Sequence, residues 1–291
     1  MNAPVVVFAY KRYEHTKKVL EALDNNYFAS QSDIYIFCDA AKGESDRNAV
    51  EKTRRYLEEF KETNSFLNCY LFFATNNKGL ASSVIDGVSY VLKKHENIIV
   101  VEDDLITSRD FLQYMNEALE YYKEDDEIGA ISGFSYPLKA LKDYSYDVYF
   151  ARTGNSWGWG TWKNVWNKVD WEVSNYKQFK NSIQQRWKFN NTQKGISNML
   201  DRQMQKKIDS WAVRWDYHFF MNKLLTVYPI ATKVCNIGFD ETGTNCNKEE
   251  RRFDEAQEKK IELCPKILDK KIMLEAAGYG VTKLNRILHG F

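Results

Sequence analysis

No stretch of this sequence approaches the roughly 20 consecutive apolar residues that a bilayer-spanning helix needs. Neither sign of charge dominates: 41 Lys and Arg stand against 40 Asp and Glu, a net of +1. The strongly basic surface expected of a nucleic-acid binder is therefore missing. Five cysteines, Cys38, Cys69, Cys235, Cys246 and Cys264, are scattered without CxxC spacing. This argues against a disulfide framework or a zinc site and for reduced thiols in a cytoplasmic protein. Neither GxGxxG nor GxxxxGK with a following Ser or Thr occurs, so the dinucleotide fingerprint and the P-loop are absent. There is no internal repeat and no low-complexity segment. The opening MNAPVVVFAYKR has too short an apolar part, and no basic region before it, for a signal peptide. It reads as a first strand.

What is present suits a globular α/β protein. Hydrophobic residues make up 44% and charged residues 28% of 291, enough for one large domain with an appendage. Aromatics reach 15%, and all eight tryptophans lie between Trp157 and Trp215.

The most informative stretch is NIIVVEDDL, Asn97 to Leu105. Its apolar run, Ile98 to Val101, suits a strand buried on both faces of a parallel sheet. The run ends in three adjacent carboxylates, Glu102, Asp103 and Asp104, at the sheet edge where open α/β sheets place ligands. Such acids repel one another and lose hydration when buried, so a cation is a natural compensation. A hard divalent ion carrying a diphosphate needs only one or two protein carboxylates. The alternative is a solvated turn, with Thr107, Ser108 and Asp110 capping the next helix.

Strands are expected at Val5 to Ala9, Ile34 to Cys38 and Tyr70 to Ala74, each followed by a helical pattern. The clearest helix carries Leu80, Val84, Ile85, Val88, Val91 and Leu92 on one face. This alternation over residues 1–124 predicts a doubly wound, mostly parallel sheet flanked by helices. Arg12, Asp39, Asn77, Lys78 and the acid triplet then all fall at strand carboxyl ends.

Farther on, Phe111 to Tyr122 reads as a helix, and Ile128 to Gly133, Tyr144 to Arg152 and Thr226 to Ala231 as strands. Gln178 to Lys207 and Trp211 to Leu225 read as helices. In TGNSWGWGTWKNVW, glycines interleave with Trp157 and Trp159, a backbone that a ligand can approach beside flat faces suited to sugar rings. Trp162 and Trp166, spaced i and i+4, are expected in a helix core. Asp216, between Trp215 and Tyr217, gains proton affinity if it faces inward, the condition for a general base or acid. If it faces solvent it pairs with Arg214 or Lys223. His218 reads as a packing residue. The loop KVCNIGFDETGTNC could act as a lid, and Asn247 to Lys260 is a charge run, a solvated helix or linker. The tail from Pro265 to Phe291 carries a net +3 and Leu284, Ile287, Leu288 and Phe291. It is either a docking helix or a peripheral contact with an anionic membrane face.

On VVEDDL at 100–105, GNSWGWGTW, WDY at 215–217 and NIGFDETGTN, the chain resembles a GT-A-fold glycosyltransferase of the N-acetylglucosaminyltransferase I type and related bacterial sugar transferases. The resemblance runs from about Val5 to Asn245. It implies a catalytic domain over 1–245, with a nucleotide-binding half (1–124), an acceptor half (125–245) and a C-terminal helical extension (246–291). It further implies an inverting, metal-dependent transfer from a nucleotide sugar, a UDP-sugar being favoured, to a glycan or glycolipid hydroxyl in bacterial surface polysaccharide or lipo-oligosaccharide synthesis. Arg12 and Asp39 would hold the base and ribose, and Asn77, Lys78 and Gly79 would approach the donor. Asp104 would bind Mn2+ or Mg2+, with Asp103 near the ribose or sugar and Glu102 beside it. Asp216 would be the base, and Trp157, Gly158 and Trp159 would hold the acceptor. A sugar-nucleotide nucleotidyltransferase is the rival enzyme, but YKRYEH after the first strand lacks its glycine-rich loop. A non-catalytic carbohydrate-binding protein would account for the tryptophans and not for the acid triplet.

Overall fold

The structure is a computed structural model and describes residues 2–239 and 255–279. Its first half builds β1 (Val5–Ala9), α1 (Tyr13–Asp24), β2 (Asp33–Cys38), α2 (Glu44–Thr63), β3 (Asn68–Phe73), α3 (Leu80–Leu92) and β4 (Asn97–Glu102). Then come β5 (Leu105–Thr107), α4 (Phe111–Tyr121), β6 (Ile128–Ser132), β7 (Val148–Ala151) and β8 (Trp159–Trp162). A helical run follows: α5 (Lys163–Trp166), α6 (Tyr176–Asn181), α7 (Ile183–Asn190), α8 (Ile196–Met204) and α9 (Trp211–Asn222). Last are β9 (Leu225–Pro229), β10 (Val234–Asn236) and α10 (Lys270–Tyr279).

Eight strands form one sheet in the order β3-β2-β1-β4-β8-β6-β9-β7. The first four are mutually parallel, as the apolar runs in β1 and β4 require. β8 enters antiparallel between β4 and β6 and joins both halves of the chain into a single sheet. Helices cover both faces: α1, α2 and α4 pack on one, and α3 and α9 on the other.

Three expectations differ from the structure. Trp162 ends β8 instead of lying in a helix, because pairing with Asn97 extends the strand through it. The long helix over 178–207 is three short ones. Ser182 caps α7 through Gln185 N, and Gly195, at φ +76°, starts α8. Finally, α9 stops at Asn222, where Lys223 turns left-handed to feed β9. Thr107 and Asp110 do not cap α4 with their side chains. Asn26, at the end of α1, accepts from Leu112 N instead.

Residues 255–264 are not helical; they cross the domain as a strap. Lys233, fully buried, holds the strap by donating from Nζ to the carbonyls of Gln257 and Lys259 and to Asp110 Oδ2. The Lys259 N–H also donates to Asp110. Of the predicted C-terminal extension, α10 lies beside β7, while 246–254 and 280–291, including the apolar tail residues, fall outside the described residues.

Candidate active site

The carboxyl ends of β1, β2, β3 and β4 open into a cleft of about 740 Å³. All eight residues expected at the donor line it: Arg12, Asp39, Asn77, Lys78, Gly79, Glu102, Asp103 and Asp104. Trp157 lines it as well. The parallel register delivers them there, since Phe8 pairs with both Phe37 and Glu102 at the same level of the sheet.

The acid triplet is packed, not solvated. Asp103 and Asp104 are both buried. Arg12, just ahead of α1, answers them with one guanidinium: Nη2 donates to Asp103 Oδ1 and, at 2.9 Å, to Asp104 Oδ2. This leaves Asp104 Oδ1 buried with no hydrogen-bond partner among the described residues. Glu102 is pushed up to about 8, first by burial and then by the neighbouring Asp104 and Asp103, against the pull of Arg12 and the Trp211 indole. Burial raises Asp103 too, with Arg12 opposing. Burial and its acid neighbours thus favour the protonated form of Glu102, and Arg12 is the cation that faces Asp103 and Asp104.

Asp39 is an organiser. Its two oxygens accept from Ala40 N, Asn77 Nδ2, Lys78 N and Gly79 N, all within 3.1 Å. These bonds fold the 77–79 loop so that Gly79, at φ +78°, can lead into α3. A Cβ there would also strike Asp209 Oδ2 at 2.8 Å. On the far side, Ile237 N donates to the Asp104 carbonyl, and Gly238 lies so close to the Asp104 carboxylate that any Cβ would collide with it. Of the loop expected as a lid, 236–239 therefore closes on Asp104, and the rest lies outside the described residues.

Two expectations are corrected. Trp159 is fully buried, stacked against Trp166 at 5.7 Å and Trp211 at 5.2 Å, because its position in β8 points it into the core beneath α9. Gly158 packs against Phe111 and Val234 and does not line the cleft. Trp157 alone of the three reaches the cleft, held edge-on to Phe134 at 4.7 Å.

Asp216 does not face Asp104 across this cleft; it is not among the residues lining it. One and a half turns into α9, it accepts from Gly154 N at 2.7 Å, next to Trp215. Neither Arg214 nor Lys223 pairs with it. Burial pushes it up to about 8, although a narrow contact with solvent remains. Of the two alternatives, pairing with Arg214 or Lys223 is not seen, and the side chain is half-buried beside Gly154. His218 stacks on Trp215 and burial drops it to about 4, as a packing histidine should be.

Besides the triplet, Asp39, Asp86 and Asp209 bring carboxylates to the cleft, and of these Asp209 comes from the second half of the chain. It is exposed, stands two residues ahead of α9, and accepts from Ala81 N at the start of α3. Sequence reasoning missed it. Its one signal was its place in DSW, where Ser210 caps α9 through Val213 N and Trp211 is the residue that turns toward Glu102.

No family model matches the chain. No curated protein matches it either. Among solved structures, S. aureus TarS residues 1–349 match with 13% identity over 59% of this chain and 50% of that one, at a TM-score of 0.43. The same TarS segment in complex with UDP matches with 12% identity over 65% and 54%, also at 0.43. A third TarS structure covers 59% and 30% at 11% identity and 0.41. The chain spans about half or less of the TarS chains it matches, and likeness at this level carries no argument about the site.

Among the described residues no cluster of three or more His, Cys, Asp or Glu side chains is arranged to hold a metal, and no helix is long and apolar enough to cross a membrane. A divalent ion would still fit in one way. The orphaned, buried Oδ1 of Asp104 offers a single hard oxygen in the lining of a cleft large enough to supply the remaining ligands from a diphosphate and water.

Proposed function

We propose that the cleft binds a nucleotide sugar and that the protein transfers the sugar, with inversion, to a hydroxyl of a glycan or glycolipid, as in bacterial surface polysaccharide or lipo-oligosaccharide assembly. The observation that carries this reading is the pairing of two features in one cleft. A buried acid cluster, part-neutralised by Arg12 and left with one unsatisfied oxygen, shares the cleft lining with an exposed carboxylate, Asp209.

Asp104 Oδ1 would hold Mn2+ or Mg2+, which, when bound, stabilises the charge building on the leaving diphosphate. Arg12, fixed by Asp103 and Asp104, adds fixed positive charge beside that diphosphate. The 77–79 loop, shaped by Asp39, forms the opposite wall, and UDP is the favoured nucleotide. Asp209 takes the proton of the attacking hydroxyl, since it alone of the two candidate carboxylates opens into the cleft. A single base and no protein nucleophile give one displacement, hence inversion, by the logic of inverting hydrolases. Trp157 stacks on the acceptor. Asp216, tied to Gly154, holds the loop that carries Trp157.

The test is transfer from a panel of nucleotide sugars with Mn2+, comparing Asp209→Asn with Asp216→Asn. Asp209→Asn should lower kcat by at least about 100-fold, the usual worth of a general base, with donor affinity retained. A larger kcat loss in Asp216→Asn than in Asp209→Asn would return the base to Asp216.

A further inference from the structure

The helical lobe α6–α8 stands apart from the rest of the chain in charge. Over residues 176–207 it holds eight basic side chains, Lys177, Lys180, Arg186, Lys188, Lys194, Arg202, Lys206 and Lys207, against Asp201 alone. This +7 sits in a protein whose total is +1. Arg186 is spent on Asp201. Lys177, Lys188, Arg202, Lys206 and Lys207 are exposed and form no ion pair among the described residues.

The same lobe carries the two most exposed large apolar side chains on any described helix of this half. Ile183 is 87% exposed and Trp187 64%, at i and i+4 on α7. The lobe's own core does not use them: Phe179, Phe189, Ile196 and Leu200 pack inward on Val213 and Tyr217 of α9. The surface continues onto α10 and the residues just before it, where Leu274 and Leu268, 64% and 48% exposed, share a cavity with Asn191 and Thr192.

We infer that this lobe is a docking surface for anionic lipid bilayers, with Ile183 and Trp187 inserting among the headgroups and the surrounding lysines facing lipid phosphates. Protruding apolar residues on a strongly basic lobe need no shape-matched partner, and a bilayer offers that chemistry. A tryptophan is especially suited to the interface, where one end of the side chain is apolar and the other wet. Docked here, the lobe holds α9, and with it Asp209 and the cleft, at a fixed height above the membrane. An acceptor headgroup anchored in lipid is met at that height.

The test is co-sedimentation of the full chain with phosphatidylcholine vesicles, with and without phosphatidylglycerol. Binding is expected only to the anionic vesicles, weakening as salt is raised. Lys206→Gln with Lys207→Gln should lower the partition coefficient about 25-fold, at about fivefold per charge, and Ile183→Ser with Trp187→Ser at least about tenfold. Unchanged UDP binding by each variant confirms that it is folded. The inference is overturned by equal binding to neutral vesicles, by no binding, or by variants that bind like the parent chain, which would shift the contact to the tail. Tighter association of the lobe with a single-stranded oligonucleotide than with vesicles would also overturn it.

Discussion

Replacing Glu102 with Gln should change how stability depends on pH, by an amount the structure sets. The ordinary carboxyl value of 4.5 rises to about 8 in the fold, through burial and the adjoining aspartates. Between those values the native state binds a proton that the unfolded chain has released, so stability is fully present below about 4.5 and is lost as pH climbs through about 8. Within that window each pH unit costs about 1.4 kcal/mol. The interval from pH 6.5 to 7.5 lies inside this window; Asp216, also raised to about 8, and His218, lowered to about 4, contribute there to both proteins alike, so the difference between the two slopes isolates Glu102. Urea denaturation at several pH values across this interval gives the slope. Glu102→Gln should flatten it by about 1.4 kcal/mol per unit, and the variant should gain on the parent chain as pH rises. Parallel slopes for the two proteins would refute the claim that Glu102 is protonated in the empty cleft, and with it the account of charge in the triplet.

Asp104→Ala should abolish Mn2+-dependent binding of UDP, measured by calorimetry; binding retained at the parent affinity would remove Asp104 from the donor site. Gly79→Ala should destabilise by about 1–3 kcal/mol, since the left-handed backbone and the Asp209 collision act together, and thermal unfolding reads the loss. Trp159→Ala should cost about 3–5 kcal/mol as a core deletion. Trp157→Ala, at a half-buried side chain, should cost less stability than Trp159→Ala and raise the acceptor KM.

The sheet was legible because its strands are written in the plainest pattern available. β1 and β4 are continuous apolar runs, and a strand buried on both faces has no other way to read. The residues that line the cleft followed from that, since strand ends fix where side chains emerge. The second half was harder for a physical reason. Trp157, Trp159 and Trp162 lie within six residues, and composition alone does not say which way a strand's alternation points them. The sequence left open which way Asp216 faces, because aromatic neighbours report burial and not which cavity lies beside it. Asp209 sits in a polar run where one more acid carries no signal, and only the meeting of α9 with α3 gives it a role. The break of 178–207 into three helices depends on Ser182 and Gly195, residues common enough in loops and helix ends to pass unnoticed.

The buried ammonium of Lys233 bears on how the molecule is made. Of its three acceptors, two are carbonyls that the ribosome adds more than twenty residues later. A nascent chain that has emerged only through β10 holds that charge against Asp110 alone, beneath a surface not yet closed. Completion of the domain therefore waits for the strap. A version of the protein cut short before Gln257 should accumulate as a soft, protease-sensitive species even though every cleft residue is already in place.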